Sequence, residues 1–147
     1  MMEKVKYFAR KKKRKGELIS MHKEMIICVI LAILIIIGDI ITQNYTKNTV
    51  NYITGELENL KQSLLEKSNE KANEEIDKID NKWNEVYDKL AYYIEHDELE
   101  KVETTFTACK SLAKTEEYQQ AISELEKTVF VLDHITDKYS FNWVNIF

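Results

Sequence analysis

Met25-Ile26-Ile27-Cys28-Val29-Ile30-Leu31-Ala32-Ile33-Leu34-Ile35-Ile36-Ile37 is thirteen apolar residues without a break, and the basic stretch Arg10-Lys11-Lys12-Lys13-Arg14-Lys15 stands shortly before it. Gly38 and Asp39 interrupt the run and Ile40-Ile41 resume it, so the apolar segment Met25–Ile41 is seventeen residues long. As a helix it covers ~25 Å against ~30 Å of hydrocarbon. Leu18, Ile19 and Met21 extend it at the inner end, where Lys23 can reach outward along its methylene stem. Asp39 lies two residues from the outer end, where burying a charge costs far less than the ~3 kcal/mol of a helix centre. A core helix of a soluble protein seldom follows six consecutive cations. The segment is therefore expected to be a transmembrane helix.

The same layout, basic then apolar, belongs to secretory signal peptides. After Ile37, however, no pair of small residues stands at cleavage spacing, and Gly16 lies too far from the run for pilin-type processing. An uncleaved signal anchor is the expectation. Residues 1–24 carry nine Lys/Arg, and in the fifteen residues after Ile41 only Lys47 is basic. By the positive-inside rule the N-terminus is then cytoplasmic and residues 42–147 are extracytoplasmic.

Charge divides the chain in the same place. Residues 1–41 hold nine Lys/Arg against four Asp/Glu, a net of +5, and residues 42–147 hold twelve against twenty-one, a net of −9. The cations Arg10, Lys11, Lys12, Lys13, Arg14 and Lys15 suit an anionic inner leaflet, at on the order of 1 kcal/mol each. Nucleic-acid binding is not expected, because no aromatic-interleaved or groove-reading element accompanies them. Cys28 falls in the span and Cys109 in the outer part, so they cannot pair with each other. Cys109 lies on an apolar helix face and is expected to be a buried thiol.

Beyond the span there is no proline and only Gly55, which favours helix throughout. Val50, Ile53, Leu57, Leu60 and Leu64 alternate steps of three and four, a coiled-coil seam sustained for about two heptads. It fades from Glu66 to Glu75, where Ala72 is the only apolar residue and a flexible or solvated helical spacer is expected; residues 42–71 are expected to be a helical stalk. Ile76, Ile79, Trp83, Val86, Leu90 and Ile94 then mark one helix face, and Leu99, Val102, Phe106, Cys109 and Leu112 a second. Tyr118, Ile122, Leu125, Val129, Leu132, Ile135 and Tyr139 mark a third. Asp97 with Glu100 has the spacing of a capping box, and Thr115 is placed to cap the last helix.

The expected fold class is thus all-α: an N-terminal transmembrane helix, then an extracytoplasmic antiparallel helical bundle of about three helices with a helical stalk. The domains are a basic cytoplasmic tail 1–24, the signal anchor 25–41, the stalk 42–71 and the bundle 72–147. The last two helices bury too little to offset their own chain entropy. They need Ile76–Ile94 or another chain to cover them, so a protein partner or homo-oligomer is expected. The terminal residues Phe141, Trp143, Val144, Ile146 and Phe147 form an apolar aromatic tail where termini are ordinarily polar. It either fills the groove between helices or serves as the candidate partner contact, with the membrane interface as a further possibility.

Nothing in the chain points to chemistry. His22 falls at the inner membrane edge, His96 has no second ligand at i+3 or i+4, and His134 has Asp133 and Asp137 nearby but no Glu three positions before it; the acids alternate with Lys as in Glu66-Lys67-Ser68-Asn69-Glu70-Lys71. No catalytic set, cofactor site, metal site or small-molecule substrate is expected, and an enzyme is not.

The stretch His96 to Phe147, HDELEKVETTFTACKSLAKTEEYQQAISELEKTVFVLDHITDKYSFNWVNIF, resembles the end of a family of small single-pass membrane proteins of Gram-positive spore formers, known only as a domain of unknown function. With the anchor, the resemblance covers most of the chain. It implies a bitopic protein with a helical outer domain working beside another membrane protein, and it offers no catalytic residues. Glu116 to Lys127 also resembles the second helix of a tetratricopeptide unit, but no repeat at that period is present. The expected function is a non-enzymatic, membrane-anchored interaction or scaffold module accessory to a membrane or envelope protein. The alternatives are the ectodomain of a sensor or signal-transmitting complex, with Val50–Leu64 seams paired between copies, and a cell-division-like coiled-coil connector.

Overall fold

A computed structural model describes the backbone of residues 2–139 and the side chains of residues 22–139. Every element in it is helical: α1 (Met2–Leu65), α2 (Asn69–Leu90), α3 (His96–Lys114) and α4 (Tyr118–Lys138). The chain forms two compact units, Met1–Ile41 and Thr42–Phe147.

In the first unit, the apolar side chains of α1 are exposed on every side of the helix, from Ile37 at 48 % to Ile35 at 72 %. From His22 onward this helix is long and apolar enough to cross a membrane. The basic stretch Arg10–Lys15 lies within α1, and its side chains fall outside the described residues.

In the second unit the outer half of α1 joins α2, α3 and α4 around one apolar core. The helix expected as a stalk is packed on its apolar side. Val50, Ile53, Leu57, Leu60 and Leu64 are between 0 and 3 % exposed, so the seam is a wall of the core rather than a surface for a second copy. Four helices share the core instead of about three. The cover that α3 and α4 lack comes from within the chain, because α1 and α2 both present apolar faces to them. The charged run Glu66–Glu75 is likewise not a spacer: it holds a turn and the start of α2, where Ala72 is buried.

Cross-helix contacts give the directions. Tyr45 and Tyr52 of α1 meet Lys89 and Lys82 of α2 in that order, so the two run oppositely. Asp80, Trp83 and Tyr87 of α2 meet Lys110, Glu103 and His96 of α3, again in reversed order. Glu98 and Thr105 of α3 meet Lys138 and Thr128 of α4, and Lys61 of α1 pairs with Glu126 of α4 at 3.0 Å.

Two of the connections are built alike. Lys67, at φ 55°, and Glu116, at φ 62°, adopt the left-handed conformation one residue beyond a helix cap. Around Lys67, the Ser68 N–H donates to Ser63 O at 3.0 Å and the Lys67 N–H to Leu64 O at 3.1 Å. Around Glu116, the Glu117 N–H donates to Leu112 O at 2.9 Å and the Glu116 N–H to Ala113 O at 3.1 Å. This is the paired pattern of a Schellman ending, which satisfies the last carbonyls of α1 and α3. Asn69 ties the two turns together, its amide donating to Glu116 Oε1 and its carbonyl accepting from Tyr118 Oη, both at 2.9 Å.

Two expected caps are absent. α3 starts at His96 with the extended Glu95 as its cap residue, which puts Asp97 inside the first turn and leaves no capping box with Glu100. The Glu95 carbonyl already accepts the Glu98 N–H at 3.0 Å, and Asp97 remains favourable there through the helix dipole. Thr115 ends α3 instead of starting α4, its hydroxyl 3.1 Å from Leu112 O.

Candidate functional site

The described surfaces divide into an apolar segment and two ends and one face of the four-helix unit. The apolar segment, Met25–Ile41, is interrupted by Asp39 and holds Cys28 exposed among the isoleucines. Its chemistry is that of a helix needing a non-aqueous surrounding, since leaving this much apolar surface in water costs roughly 25 cal/mol per Å².

One end of the four-helix unit gathers Thr42–Thr46, the turn after α2, the start of α3 and the end of α4. The Thr46 hydroxyl donates to Thr42 O at 2.9 Å and lies 3.0 Å from Tyr93 Oη. Burial pushes the Tyr93 phenol above its usual value, so it is protonated and available as a donor. The Glu95 N–H donates to Tyr139 Oη at 2.8 Å, and His96 Nδ1 lies 3.2 Å from Tyr87 Oη. Lys138 joins Glu95 at 2.8 Å and the buried Glu98 at 3.3 Å, and Lys101 reaches Glu98 at 3.3 Å. Desolvation works to raise the Glu98 carboxyl, but Lys138 and Lys101 outweigh it and hold it below the ordinary carboxylate range. Tyr92 stands free of this network at 89 % exposed.

On the α3–α4 face, Phe130 is 72 % exposed. With Val131, Thr104 and Thr105 it floors a groove of ≈ 680 Å³, rimmed by Asp97 and Glu100 on one hand and Lys101 and Lys127 on the other. Phe130 was legible only as an apolar residue out of phase with the Tyr118–Tyr139 face. Tyr92 had no periodic signal at all.

Inside the unit, Ile53, Leu57, Ile79, Trp83, Val102, Phe106 and Thr128 surround a void of ≈ 10 Å³, too small to hold a ligand. Cys109 is fully buried, and burial pushes its thiol up to about 12, which keeps it protonated and unreactive at neutral pH. Among the described residues no group of three His, Cys, Asp or Glu is arranged to hold a metal ion. His96 and His134 lie on separate helices, α3 and α4, and both are exposed. The tail Phe141, Trp143, Val144, Ile146 and Phe147 lies outside the described residues, which end at Tyr139 beyond α4.

No curated protein and no solved structure matches the chain. Residues 40–146 match the family model DUF4363, a domain of unknown function. That description says nothing of a membrane or of source organisms. The match begins two residues before the four-helix unit and so includes the outer half of α1. The chain belongs to the DUF4363 family.

Proposed function

We propose that this DUF4363 protein is a single-pass, membrane-anchored helical bundle that acts as a non-enzymatic interaction or scaffold module, accessory to another membrane or envelope protein. The observation that carries the reading is the change of character along α1. Its apolar side chains between Met25 and Ile41 are exposed all round, whereas Val50, Ile53, Leu57, Leu60 and Leu64 form one apolar stripe that is buried. The first half needs lipid and the second needs α2–α4, so the helix is an anchor continued into a folded domain. The excess of Lys/Arg in residues 1–24 supports a cytoplasmic N-terminus and an extracytoplasmic bundle. The tail Phe141, Trp143, Val144, Ile146 and Phe147 is the candidate contact for the partner, and the groove beside Phe130 offers a second exposed aromatic surface.

The burial of Val50, Ile53, Leu57, Leu60 and Leu64 within the chain favours this reading over a sensor built on paired seams. The module reading is tested in cells by crosslinking and mass spectrometry on the full chain. Deleting Phe141–Phe147 is expected to remove the principal crosslinked protein while leaving the helical signal intact; an unchanged partner set would count against it. Orientation is read separately: a membrane-impermeant thiol reagent should label Asn51→Cys on intact cells, and labelling that required lysis would reverse it.

A further inference from the structure

We propose that the tyrosine-bearing end of the bundle rests on the lipid–water interface of the outer leaflet, with Tyr92 as its leading contact. The proposal rests on the reading that Met25–Ile41 spans the membrane.

The tyrosines are unevenly placed. The chain has eight, and five of them, Tyr45, Tyr87, Tyr92, Tyr93 and Tyr139, gather at the end where α2 stops and α3 starts. The opposite end, built from the Lys67 and Glu116 turns, carries Tyr118, whose hydroxyl is spent on Asn69. Tyr92 has no structural duty: its neighbours Tyr93 and Ile94 turn into the core, while its own ring is 89 % exposed. A ring with an apolar body and a polar tip is at home at the headgroup level.

Chain connectivity brings lipid to this end. Thr42 follows Ile41 directly, and Thr46 is already buried in the four-helix unit. The intervening four residues are helical and cover ~6 Å, within a headgroup layer of ~5–8 Å. The bundle therefore has no tether long enough to hold this end clear of the interface. The chain also leaves α4 at Tyr139 from the same end, and Phe141, Trp143 and Phe147 follow within eight residues.

Charge does not supply the attraction. Lys138 is engaged by Glu95 and Glu98, Lys89 lies 3.9 Å from Glu85, and Glu95 and Asp97 flank the α3 start. The contact is thus expected to form on zwitterionic phosphatidylcholine and to be insensitive to salt.

The test uses the full chain carrying Cys28→Ala, reconstituted in phosphatidylcholine vesicles, with a fluorophore on one introduced cysteine at a time. Buried Cys109 stays unlabelled in the folded protein. A label at Tyr92→Cys should be quenched by headgroup-borne nitroxide lipid about two-fold or more beyond a label at Glu70→Cys, on the opposite end. A label at Ile33→Cys should be quenched by a nitroxide deep in the acyl chains. Quenching at 33 with none in excess at 92 overturns the interface contact while the span stands. Absence of quenching at 33 removes the span and the inference with it. A label at 92 that is shielded from water yet unreached by any lipid quencher means that a second copy or another part of the chain covers this end, and also overturns the proposal.

Discussion

Thr46 and Tyr93, at the start of the packed part of α1 and in the turn after α2, are joined by a hydrogen bond of 3.0 Å between their hydroxyls. Because the Thr46 proton is given to Thr42 O, Tyr93 is the donor. The pair closes the end of the four-helix unit across 47 residues of sequence, only a few positions beyond the apolar segment.

Removing that donor is a mild, readable change. Tyr93→Phe keeps the ring in place and leaves Thr46 bonded to Thr42, so the expected cost is about 1 kcal/mol. Urea unfolding of the full chain carrying Trp143→Phe in detergent micelles, followed by Trp83 fluorescence, measures it. A loss of several kcal/mol would mean that the ring itself shifts, and no loss would mean that the bond is not formed in solution.

The burial of the α1 seam has a larger consequence. Leu57 is fully buried among residues of all four helices, so Leu57→Ala is expected to cost ~2–5 kcal/mol. Leu65, on the same helix and 51 % exposed, should tolerate alanine within about 0.5 kcal/mol. Equal and small effects at both positions would mean that the seam is not packed within the chain.

Glycine is used where it is not needed and missing where it would help. Gly55 sits mid-helix with nothing within 4 Å of where a Cβ would stand, so Gly55→Ala is expected to add about 0.5–1 kcal/mol. Lys67, at φ 55°, bears the side-chain penalty of the left-handed region, and Lys67→Gly should add a similar amount, reduced by the entropy glycine gains when unfolded. Shifts in the urea midpoint of the two single variants report both, and a lower midpoint for Lys67→Gly would contradict the turn geometry.

How much of this was legible follows the chemistry of each position. The face Ile76, Ile79, Trp83, Val86, Leu90 and Ile94 was readable because each residue is apolar and in phase, and all six are buried. Thr46, Ser63 and Thr128 are buried too, but apolar periodicity passes over them: each places its hydroxyl against the carbonyl four residues back, and Thr46 and Thr128 also meet the hydroxyls of Tyr93 and Thr105. The turns at Lys67 and Glu116 carried no glycine, so the break between α1 and α2 read as a charged helical run. The role of the α1 seam was ambiguous for a different reason. A stripe of Val, Ile and Leu at steps of three and four suits a second copy and an intramolecular neighbour equally well. The candidate surfaces were the least legible, since Phe130 and Tyr92 stand out only by facing away from everything around them.

Glu98 ties stability to pH. It is 6 % exposed and held by Lys138 and Lys101, each 3.3 Å away. Its folded pKa lies below the ordinary value of 4.5, so the folded state binds this proton less readily than the unfolded chain. The stabilisation is therefore complete above that ordinary value and is lost as the pH falls below it toward the folded pKa. Glu98→Gln keeps the shape and one acceptor while removing the charge, with an expected cost of about 1–2 kcal/mol at pH 7. The difference between Glu98→Gln and the unaltered protein should shrink as the pH is lowered from 6 to about 3, because the native carboxyl then carries its own proton. Urea midpoints across that range decide the matter: a difference that stayed constant would mean that Glu98 contributes by packing, with its charge irrelevant to the α3–α4 contact.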